Sequence, residues 1–340
     1  MTAGSILITG ASGFLGRHVV ATARSAGLTV RALVRPTSVI PDSWAIDDGV
    51  EVVRCDMLSD GDALSAAVSD VDAIIHAAAA MAGGDDVHDE ATVRPTAALL
   101  GAITNSGQHP HFVLISSLSV YGAMGLPPGG RLDETTPIAQ RPNLRDAYCR
   151  AKLAQEALVL VAADDHQLRA TILRPGAIFG PGRVWNGHLG IGIGPALIQL
   201  AGDGQVPVTY IDNCASAIVK AAQMPPEPGQ PIILNVIDEN PPDRARFLTA
   251  LRMGGWPKFS IPFSWRLLSA VGAVVERIPP LAHRAPGLLR RPVLHARMKP
   301  LTYGTDRLRE RLGDLPSIGF EDAMQRSLRA EKDSESETHG

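Results

Sequence analysis

Hydrophobic and polar residues in the first half of the chain follow a pattern that predicts an α/β fold. Five apolar runs have the length of β-strands, and they cover 5–9, 28–34, 50–54, 72–76 and 112–116. Helical spacing is found between them, at 17–25, which Gly27 closes, and at 92–103. Strands that alternate with helices are typical of βαβ units. We therefore predict a Rossmann-type, doubly wound parallel sheet.

The pattern changes after residue 182. Residues 183–205 are rich in Gly, Ile and Leu without clear periodicity. A strand at 208–211 and a helix at 215–222 are expected to return to the main sheet, and a strand at 232–237 is expected in a smaller lobe. The predicted domains are a dinucleotide-binding domain and a C-terminal substrate-binding lobe, with the boundaries 1–182 plus 206–222, and 183–205 plus 223–328. The charged, serine-rich residues 329–340 are predicted to be disordered.

Three glycines follow the first strand and open the first helix. A helix N-terminus offers free N–H groups and a partial positive charge, and glycines let a phosphate approach the backbone closely. The spacing is GxxGxxG, which differs from the GxGxxG of many dinucleotide-binding folds. The prediction of a dinucleotide site therefore rests on the position of the glycines between the first strand and the first helix. The residues predicted to contact the cofactor here are Gly10, Ser12, Gly13, Phe14, Leu15 and Gly16.

The end of the second strand indicates which dinucleotide is bound. An acidic residue at this place binds the ribose 2′-hydroxyl of NAD, whereas an arginine suits the extra phosphate of NADP. Arg35 follows Val34, and no acidic residue is present. We therefore favour NADP(H), with Arg31 and Ser38 as further phosphate ligands. NAD(H) remains possible if Arg35 is a solvated loop residue.

A tyrosine and a lysine lie four residues apart in a segment with helical spacing. The apolar positions that define this spacing are Ala147, Ala151, Ala154, Leu158 and Val161. Side chains four apart lie on one helix face, so Tyr148 and Lys152 are expected to point the same way. An ammonium about 4 Å from a phenol can lower its pKa by up to about 3. A phenol that titrates near neutrality can give and take a proton. The alternative is a chance pair on an exposed face.

Composition and charge exclude several classes of protein. The 340 residues carry a formal net charge of −3, which argues against binding to nucleic acid. Three widely spaced cysteines form no zinc or disulfide pattern, the histidines show no metal-ligand spacing, and no metal is predicted. No targeting segment is visible, so a cytoplasmic protein without a transmembrane span is expected. The apolar stretch 267–275 is too short to span a membrane. Core packing is its expected role, although it could touch a membrane surface.

Taken together, the motifs resemble the extended branch of the short-chain dehydrogenase/reductase superfamily. The resemblance covers the N-terminal two-thirds of the chain and rests on motifs that occur in the same order as in the family. They are TGASGFLG at 9–16, Asp56 after the third strand, HAAA at 76–79, Ser116-Ser117 before VYG at 120–122, the pair Tyr148 and Lys152, RPGAIFGPG at 174–182 and YIDN at 210–213.

The resemblance implies a role for each of these residues. Tyr148 would be the acid/base, Lys152 would hold the nicotinamide ribose and lower the tyrosine pKa, and Ser117 would polarise the substrate oxygen. Asp56 would face the adenine. The further cofactor contacts are Met57, Ala77, Ala78, Ser116, which also supports the turn, and, at the nicotinamide, Pro175, Gly176, Ala177 and Ile178. Relatives also suggest a possible homodimer that includes the Tyr148 helix.

Three functions are compatible with these motifs: an oxidoreductase acting on a secondary alcohol or ketone, a nucleotide-sugar epimerase or dehydratase, and a non-catalytic NADP-binding sensor. Epimerases typically have an asparagine where this chain has Ala177, and often an arginine where it has 206–208 (Val-Pro-Val). The RPGAIFGPG string instead resembles 3β-hydroxysteroid dehydrogenases and dihydroflavonol reductases, which implies a small apolar steroid-, flavonoid- or terpenoid-like substrate. Trp185, Asn186 and His188 are the candidate substrate contacts.

Overall fold

The computed structural model describes residues 4–200, 203–278 and 287–338. Its strands are β1 (Ser5–Thr9), β2 (Thr29–Val34), β3 (Val50–Arg54), β4 (Ala73–His76), β5 (His111–Ile115), β6 (Arg131–Leu132), β7 (Ala170–Pro175), β8 (Ala177–Phe179), β9 (Gly190–Ile193), β10 (Ala196–Gln199), β11 (Val208–Tyr210), β12 (Ile232–Val236), β13 (Phe259–Pro262) and β14 (Thr302–Tyr303). Seven of these strands form one parallel sheet in the order β12-β7-β5-β4-β1-β2-β3. The predicted Rossmann-type sheet is confirmed.

The α-helices cover both faces of this sheet. They are α1 (Phe14–Ser25), α2 (Gly61–Val68), α3 (Asp85–His88), α4 (Arg94–Ser106), α5 (Ala147–His166), α6 (Ile211–Ala222), α7 (Arg244–Met253), α8 (Trp265–Val275), α9 (Arg291–Met298), α10 (Asp306–Leu312) and α11 (Phe320–Thr338). Helices α1 and α6 pack with one set of buried strand residues, and α2, α4 and α5 pack with the other. Because both faces are covered, β4, β5 and β7 are buried along their whole length and consist mostly of apolar residues.

Two strands lie elsewhere than the sequence predicted. The strand at 208–211 was expected in the main sheet, but β11 pairs with β8 in a separate two-stranded sheet. The strand at 232–237 was expected in the smaller lobe, but β12 is the edge strand of the main sheet and pairs with β7 from Ile232 opposite Thr171. Helix α6 supplies the crossover that a parallel partner of β7 needs. The other domain boundaries remain a prediction.

The C-terminal segment also differs from the prediction. Residues 329–340 were expected to be disordered, but α11 continues to Thr338. Its first turns are anchored by the buried side chains of Phe320, Ala323 and Met324. A helix that is already nucleated extends at little cost through Glu, Lys and Arg, which have high helix propensity.

A second, smaller group of elements packs beside the end of the main sheet. It contains the three-stranded sheet β13-β10-β9 and the helices α7, α8, α9 and α11. Within the described ranges, none of the helices combines the length and apolar character that a bilayer crossing requires.

Candidate active site

The glycine turn lies between the carboxyl ends of β1 and β4. Gly10 has φ +68, and a Cβ there would come within 2.8 Å of the Ala78 nitrogen. A Cβ on Gly16 would lie 2.1 Å from the Gly10 carbonyl oxygen, so α1 packs against the turn only because Gly16 lacks a side chain. Gly13 is the N-cap of α1, and the described atom that its Cβ would meet is the Gly10 oxygen, at 3.1 Å. The predicted contacts Ala77 and Ala78 therefore adjoin a stretch of bare backbone at the N-terminus of α1.

The loop after β2 is braced by arginines other than Arg35. Arg54 donates to the carbonyl oxygens of Pro36 and Ser38 at 2.8 and 3.0 Å. Arg35 itself is exposed and directly follows the carboxyl end of β2. The expectation that Arg31 assists Arg35 is wrong. Its guanidinium pairs with Glu51 at 2.8 Å and donates to carbonyl oxygens of the α2 end, including that of Ser69.

The predicted adenine contact lies at the end of β3. Asp56 is exposed, and its carboxylate accepts a hydrogen bond from the Leu58 amide at 2.9 Å, which fixes its direction. Met57 is partly buried and packs on the core cluster that contains Leu64. Both residues are therefore at the carboxyl edge of the sheet, as the prediction requires.

Helix α5 brings the tyrosine and the lysine to this edge. The Asp146 side chain caps the helix by accepting from the Cys149 amide at 2.9 Å. The Lys152 ammonium lies 5.9 Å from the centre of the Tyr148 ring, so the two side chains share a face. Lys152 also donates to the Ile115 carbonyl at 2.7 Å, which ties it to the end of β5. Ser117 follows two residues later, and its hydroxyl lies close enough to Tyr148 to lower the pKa of that phenol.

The titration of this pair differs from the expectation. Lys152 was predicted to lower the pKa of Tyr148, but burial raises that pKa, and the nearby Ser117 hydroxyl only opposes the rise. Burial also lowers the pKa of Lys152 to about 7, and the nearby Glu156 carboxylate opposes this change. The physical reason is that both side chains lose water together. Desolvation, which disfavours the charged form of each group, is the largest cause of both pKa shifts.

Close to Tyr148 and Lys152 lies a buried ion pair, Glu156 with Arg174, that the sequence did not predict. Glu156 and Arg174 are each 4% exposed and form two hydrogen bonds, of 2.9 and 2.6 Å. The Ser116 hydroxyl donates to the same carboxylate at 2.5 Å. This hydroxyl therefore supports the turn rather than facing outward. The signal was available, because Tyr148, Lys152 and Glu156 repeat every four residues on one helix face.

Two residues near the start of α5 hold the turn that carries Ser117. Arg145 is buried and donates to the carbonyl oxygens of Ser119 and Tyr121, at 2.6 and 2.8 Å. The Cys149 thiol donates to the Ser119 carbonyl at 3.1 Å. These contacts fix the serine turn relative to the tyrosine helix.

The predicted nicotinamide segment crosses from β7 to β8. The Gly176 amide donates to the Val236 carbonyl, and the Ala177 amide donates to the Pro207 carbonyl at 2.7 Å. A Cβ on Gly176 would lie 2.4 Å from the Pro207 oxygen. This close approach holds the segment from Pro175 to Ile178 at the carboxyl end of β7.

The three candidate substrate residues make their described contacts within the smaller group of elements. Trp185 packs edge-to-face on Trp256, with ring centres 4.8 Å apart. His188 and the Asn186 side-chain oxygen are hydrogen bonded at 2.7 Å. Burial, together with Arg297 and Arg244, lowers the pKa of His188 to about 3. Their role as substrate contacts stays a prediction.

A histidine that the sequence analysis did not single out borders the tyrosine. His88 is buried, and its ring packs edge-on against Tyr148 with the ring centres 6.0 Å apart. Within the described part of the chain, its Nδ1 atom has no hydrogen-bond partner. The described residues also contain no group of three or more His, Cys, Asp or Glu that could hold a metal ion.

The chain is similar to known proteins in both sequence and fold. The sequence model of the NAD dependent epimerase/dehydratase family matches residues 6–236. The chain is 31% identical over 284 residues to a 3 beta-hydroxysteroid dehydrogenase/Delta 5-->4-isomerase from Mycobacterium tuberculosis, covering 76% of this chain and 72% of the relative. It is 30% identical over 330 residues to a 2-alkyl-3-oxoalkanoate reductase from Stenotrophomonas maltophilia, covering 94% and 97%.

The fold is also that of solved structures of distant sequence. A UDP-glucuronic acid 4-epimerase from Bacillus cereus, in complex with NAD, superposes with a TM-score of 0.69 at 19% identity, over 97% of this chain and 99% of that one.

A Rossmann fold with a glycine turn, a serine turn and a tyrosine–lysine helix at one sheet edge defines an oxidoreductase of the short-chain dehydrogenase/reductase type. The chain belongs to the NAD dependent epimerase/dehydratase family. Its sequence relatives support the extended branch and, within it, the 3β-hydroxysteroid dehydrogenase-like group. The predicted family and the prediction of an enzyme are confirmed.

Proposed function

We propose that the protein interconverts a secondary alcohol and a ketone on a small apolar molecule, with Tyr148 as the acid/base. The observation that carries the proposal is the arrangement of Ser117, Tyr148 and Lys152 on adjoining elements, beside the bare backbone of the glycine turn. This turn fits a dinucleotide, because its glycines let bare backbone pack at the N-terminus of α1, where free N–H groups can bind a phosphate.

In this mechanism Ser117, Tyr148 and Lys152 each have a separate role in the transfer of the proton. Ser117 and Tyr148 donate hydrogen bonds to the carbonyl oxygen of the substrate, which stabilises negative charge as it develops. Tyr148 then gives its proton to that oxygen, or takes it in the reverse direction. Lys152, held by the Ile115 carbonyl, binds the ribose and supplies positive charge beside the phenolate. A nicotinamide held at this place would supply or accept the hydride.

The proposal of an apolar substrate is supported by the absence of polar groups that a sugar diphosphate would need. Ala177 stands where epimerases typically have asparagine, and a charge-assisted contact to a diphosphate is missing there. The names of the two sequence relatives refer to a hydroxysteroid and to an oxoalkanoate. Each of these compounds carries a hydroxyl or keto group on a largely apolar carbon skeleton. Trp185 and Trp256 offer apolar surface near the proposed substrate lobe.

We propose that the cofactor is NADP(H) and that Arg35 binds its 2′-phosphate. The residue is exposed on the loop after β2, where an arginine can pair with the 2′-phosphate. The family is NAD(P)-dependent, so NAD(H) is the alternative.

A substrate panel tests the proposed reaction against the two alternatives. A hydroxysteroid, a 2-alkyl-3-oxoalkanoate and UDP-glucose are each incubated with NADP(H) or NAD(H), while nicotinamide absorbance is followed. We expect net cofactor turnover with an apolar alcohol or ketone. Isomerisation of the sugar nucleotide without net turnover would instead identify an epimerase. Cofactor binding without turnover of any of the three compounds would favour a sensor.

A further inference from the structure

The three-stranded sheet β13-β10-β9 exposes one apolar face. Its strand register places Ile191, Ile198 and Ile261 in one row. The neighbouring row, two residues away on each strand, consists of Ile193, Ala196 and Phe259. Because side chains alternate between faces with a period of two, both rows lie on the same face. Phe259, Ile261 and Ile193 are each more than half exposed.

Helix α8 follows β13 in the chain and carries further exposed apolar residues. Leu267, Val271 and Val274 are spaced by four and three residues, which places them on one side of the helix, and Ile278 is exposed three residues after the helix ends at Val275. Leu267 and Val274 are both 56% exposed. Trp265 and Gly272 are buried on the other side. Phe263 is also exposed and joins the helix to β13.

We call this region the apolar surface and define it by nine exposed residues: Ile191, Ile193, Phe259, Ile261, Phe263, Leu267, Val271, Val274 and Ile278. Ile198 is only partly exposed and packs on the cluster that contains Trp265. A group of exposed apolar residues of this size is unusual on a protein and marks a site of interaction.

The chain around the apolar surface is strongly basic. Residues 252–299 contain nine Lys or Arg and a single acidic residue, Glu276, although the whole chain has a net charge of −3. Glu276 pairs with Arg291 at 3.6 Å. Lys258, Arg266 and Arg277 are exposed and lie next to apolar residues of the surface in the chain.

We propose that this apolar surface docks the enzyme onto an anionic lipid bilayer. An amphipathic helix with basic residues at its border lies in the membrane interface, its apolar face buried by roughly 5–10 Å, and the charges attract anionic headgroups. A second copy of the chain fits less well. A twofold interface brings the same patch of both subunits together, so the basic borders would face each other and repel. The proposal does not depend on which substrate the active site accepts.

Vesicle cosedimentation of the full chain tests this proposal. We expect the protein to sediment with vesicles of mixed phosphatidylcholine and phosphatidylglycerol, and to bind pure phosphatidylcholine vesicles at least about tenfold more weakly. Added salt should weaken the binding to the anionic vesicles, because it screens the headgroup charge.

Two double variants separate the apolar from the electrostatic contribution. V271Q/V274Q should abolish most of the binding. R266Q/R277Q should weaken binding to anionic vesicles by about 30-fold, since each basic side chain near such a surface contributes about fivefold. The matched controls carry the same changes at exposed positions outside the surface, V39Q/I46Q and R94Q/R307Q, and should bind like the wild type.

Light scattering and circular dichroism establish the oligomeric state and folding of each variant. The proposal is overturned if the wild type sediments with neither kind of vesicle, or if folded V271Q/V274Q binds like its control. It is also overturned if V271Q/V274Q converts a dimer into a monomer without changing vesicle binding, because the surface is then an interface between two copies.

Discussion

Lys152 shows how the surroundings of a residue decide its chemistry. Its spacing from Tyr148 was predictable, because a helix brings residues four apart to one face, and the structure places them together. Its pKa was not predictable. Burial at the end of β5, where the ammonium donates to the Ile115 carbonyl, lowers that pKa to about 7. The pairing of Glu156 with Arg174 likewise depends on a contact between α5 and β7 that the sequence pattern does not specify.

Substitution of Arg35 by alanine tests the proposed reading of the cofactor phosphate. We expect NADP affinity to fall by about 10- to 100-fold, because a charge-assisted hydrogen bond to the phosphate is lost, and NAD affinity to stay within about twofold. Titration of cofactor binding by calorimetry measures both. Arg31→Ala is the control, since Arg31 is engaged with Glu51, and its ratio of NADP to NAD affinity should not change. Equal losses for both cofactors in Arg35→Ala would show that Arg35 does not select NADP.

Substitution of Glu156 by glutamine tests the buried ion pair. The change leaves Arg174 charged and buried without its carboxylate, so we expect the free energy of unfolding to fall by about 3–5 kcal/mol. Denaturant unfolding followed by circular dichroism measures this loss. The double variant E156Q/R174M should recover part of it, because it also removes the unpaired charge. A loss below about 1 kcal/mol in the single variant would contradict the role given to the pair.

At the scale of elements, the strands and helices whose periodicity is strong were predicted well. The bounds of β1 and β3 agree with the prediction, and helix α1 begins three residues earlier than predicted, where Gly13 caps it. The pairing of β12 was not predictable, because an apolar run of five residues fits the edge of either sheet. Its place beside β7 follows from the crossover through α6. Long-range pairing of this kind is decided by packing rather than by local pattern.

The junction of β5, β7 and α6 gives a pH-dependent prediction. His111 is buried there, where its ring nitrogens contact the Ala222 carbonyl and the Thr171 hydroxyl at 3.1 and 2.9 Å, and burial lowers its pKa to about 4. Between this value and the ordinary histidine pKa of about 6.5, the unfolded chain binds a proton that the folded chain does not. Stability is therefore lost as the pH falls below about 6.5, by about 2 kcal/mol between pH 7 and 5.

Comparison of two histidine variants isolates this contribution. His111→Gln should show a shallower loss of unfolding free energy between pH 7 and 5 than the wild type. His109→Gln changes an exposed histidine two residues away and should follow the wild type. Denaturant unfolding at each pH gives the slopes. If all three proteins lose stability in parallel, His111 is not a source of the acid sensitivity.

At the scale of the whole molecule, the class of fold and the family were predictable because several motifs occur in order along the chain. The glycine turn, the serine turn and the tyrosine helix come together at one edge, since parallel strands end on the same side of a sheet. The smaller lobe was predicted only in outline, because β10 and β13 of its three-stranded sheet pair residues more than sixty positions apart. The homodimer that would include helix α5 remains a prediction.

The central claim is that the hydroxyl of Tyr148 transfers the proton that accompanies hydride transfer. The most direct measurement is the single-turnover rate of nicotinamide oxidation by Tyr148→Phe on the ketone that the substrate panel identifies, together with the cofactor dissociation constant. The account predicts a rate about 10²- to 10⁴-fold below that of the wild type, with cofactor affinity unchanged within about twofold. A rate within about threefold of the wild type, at unchanged affinity, would contradict it.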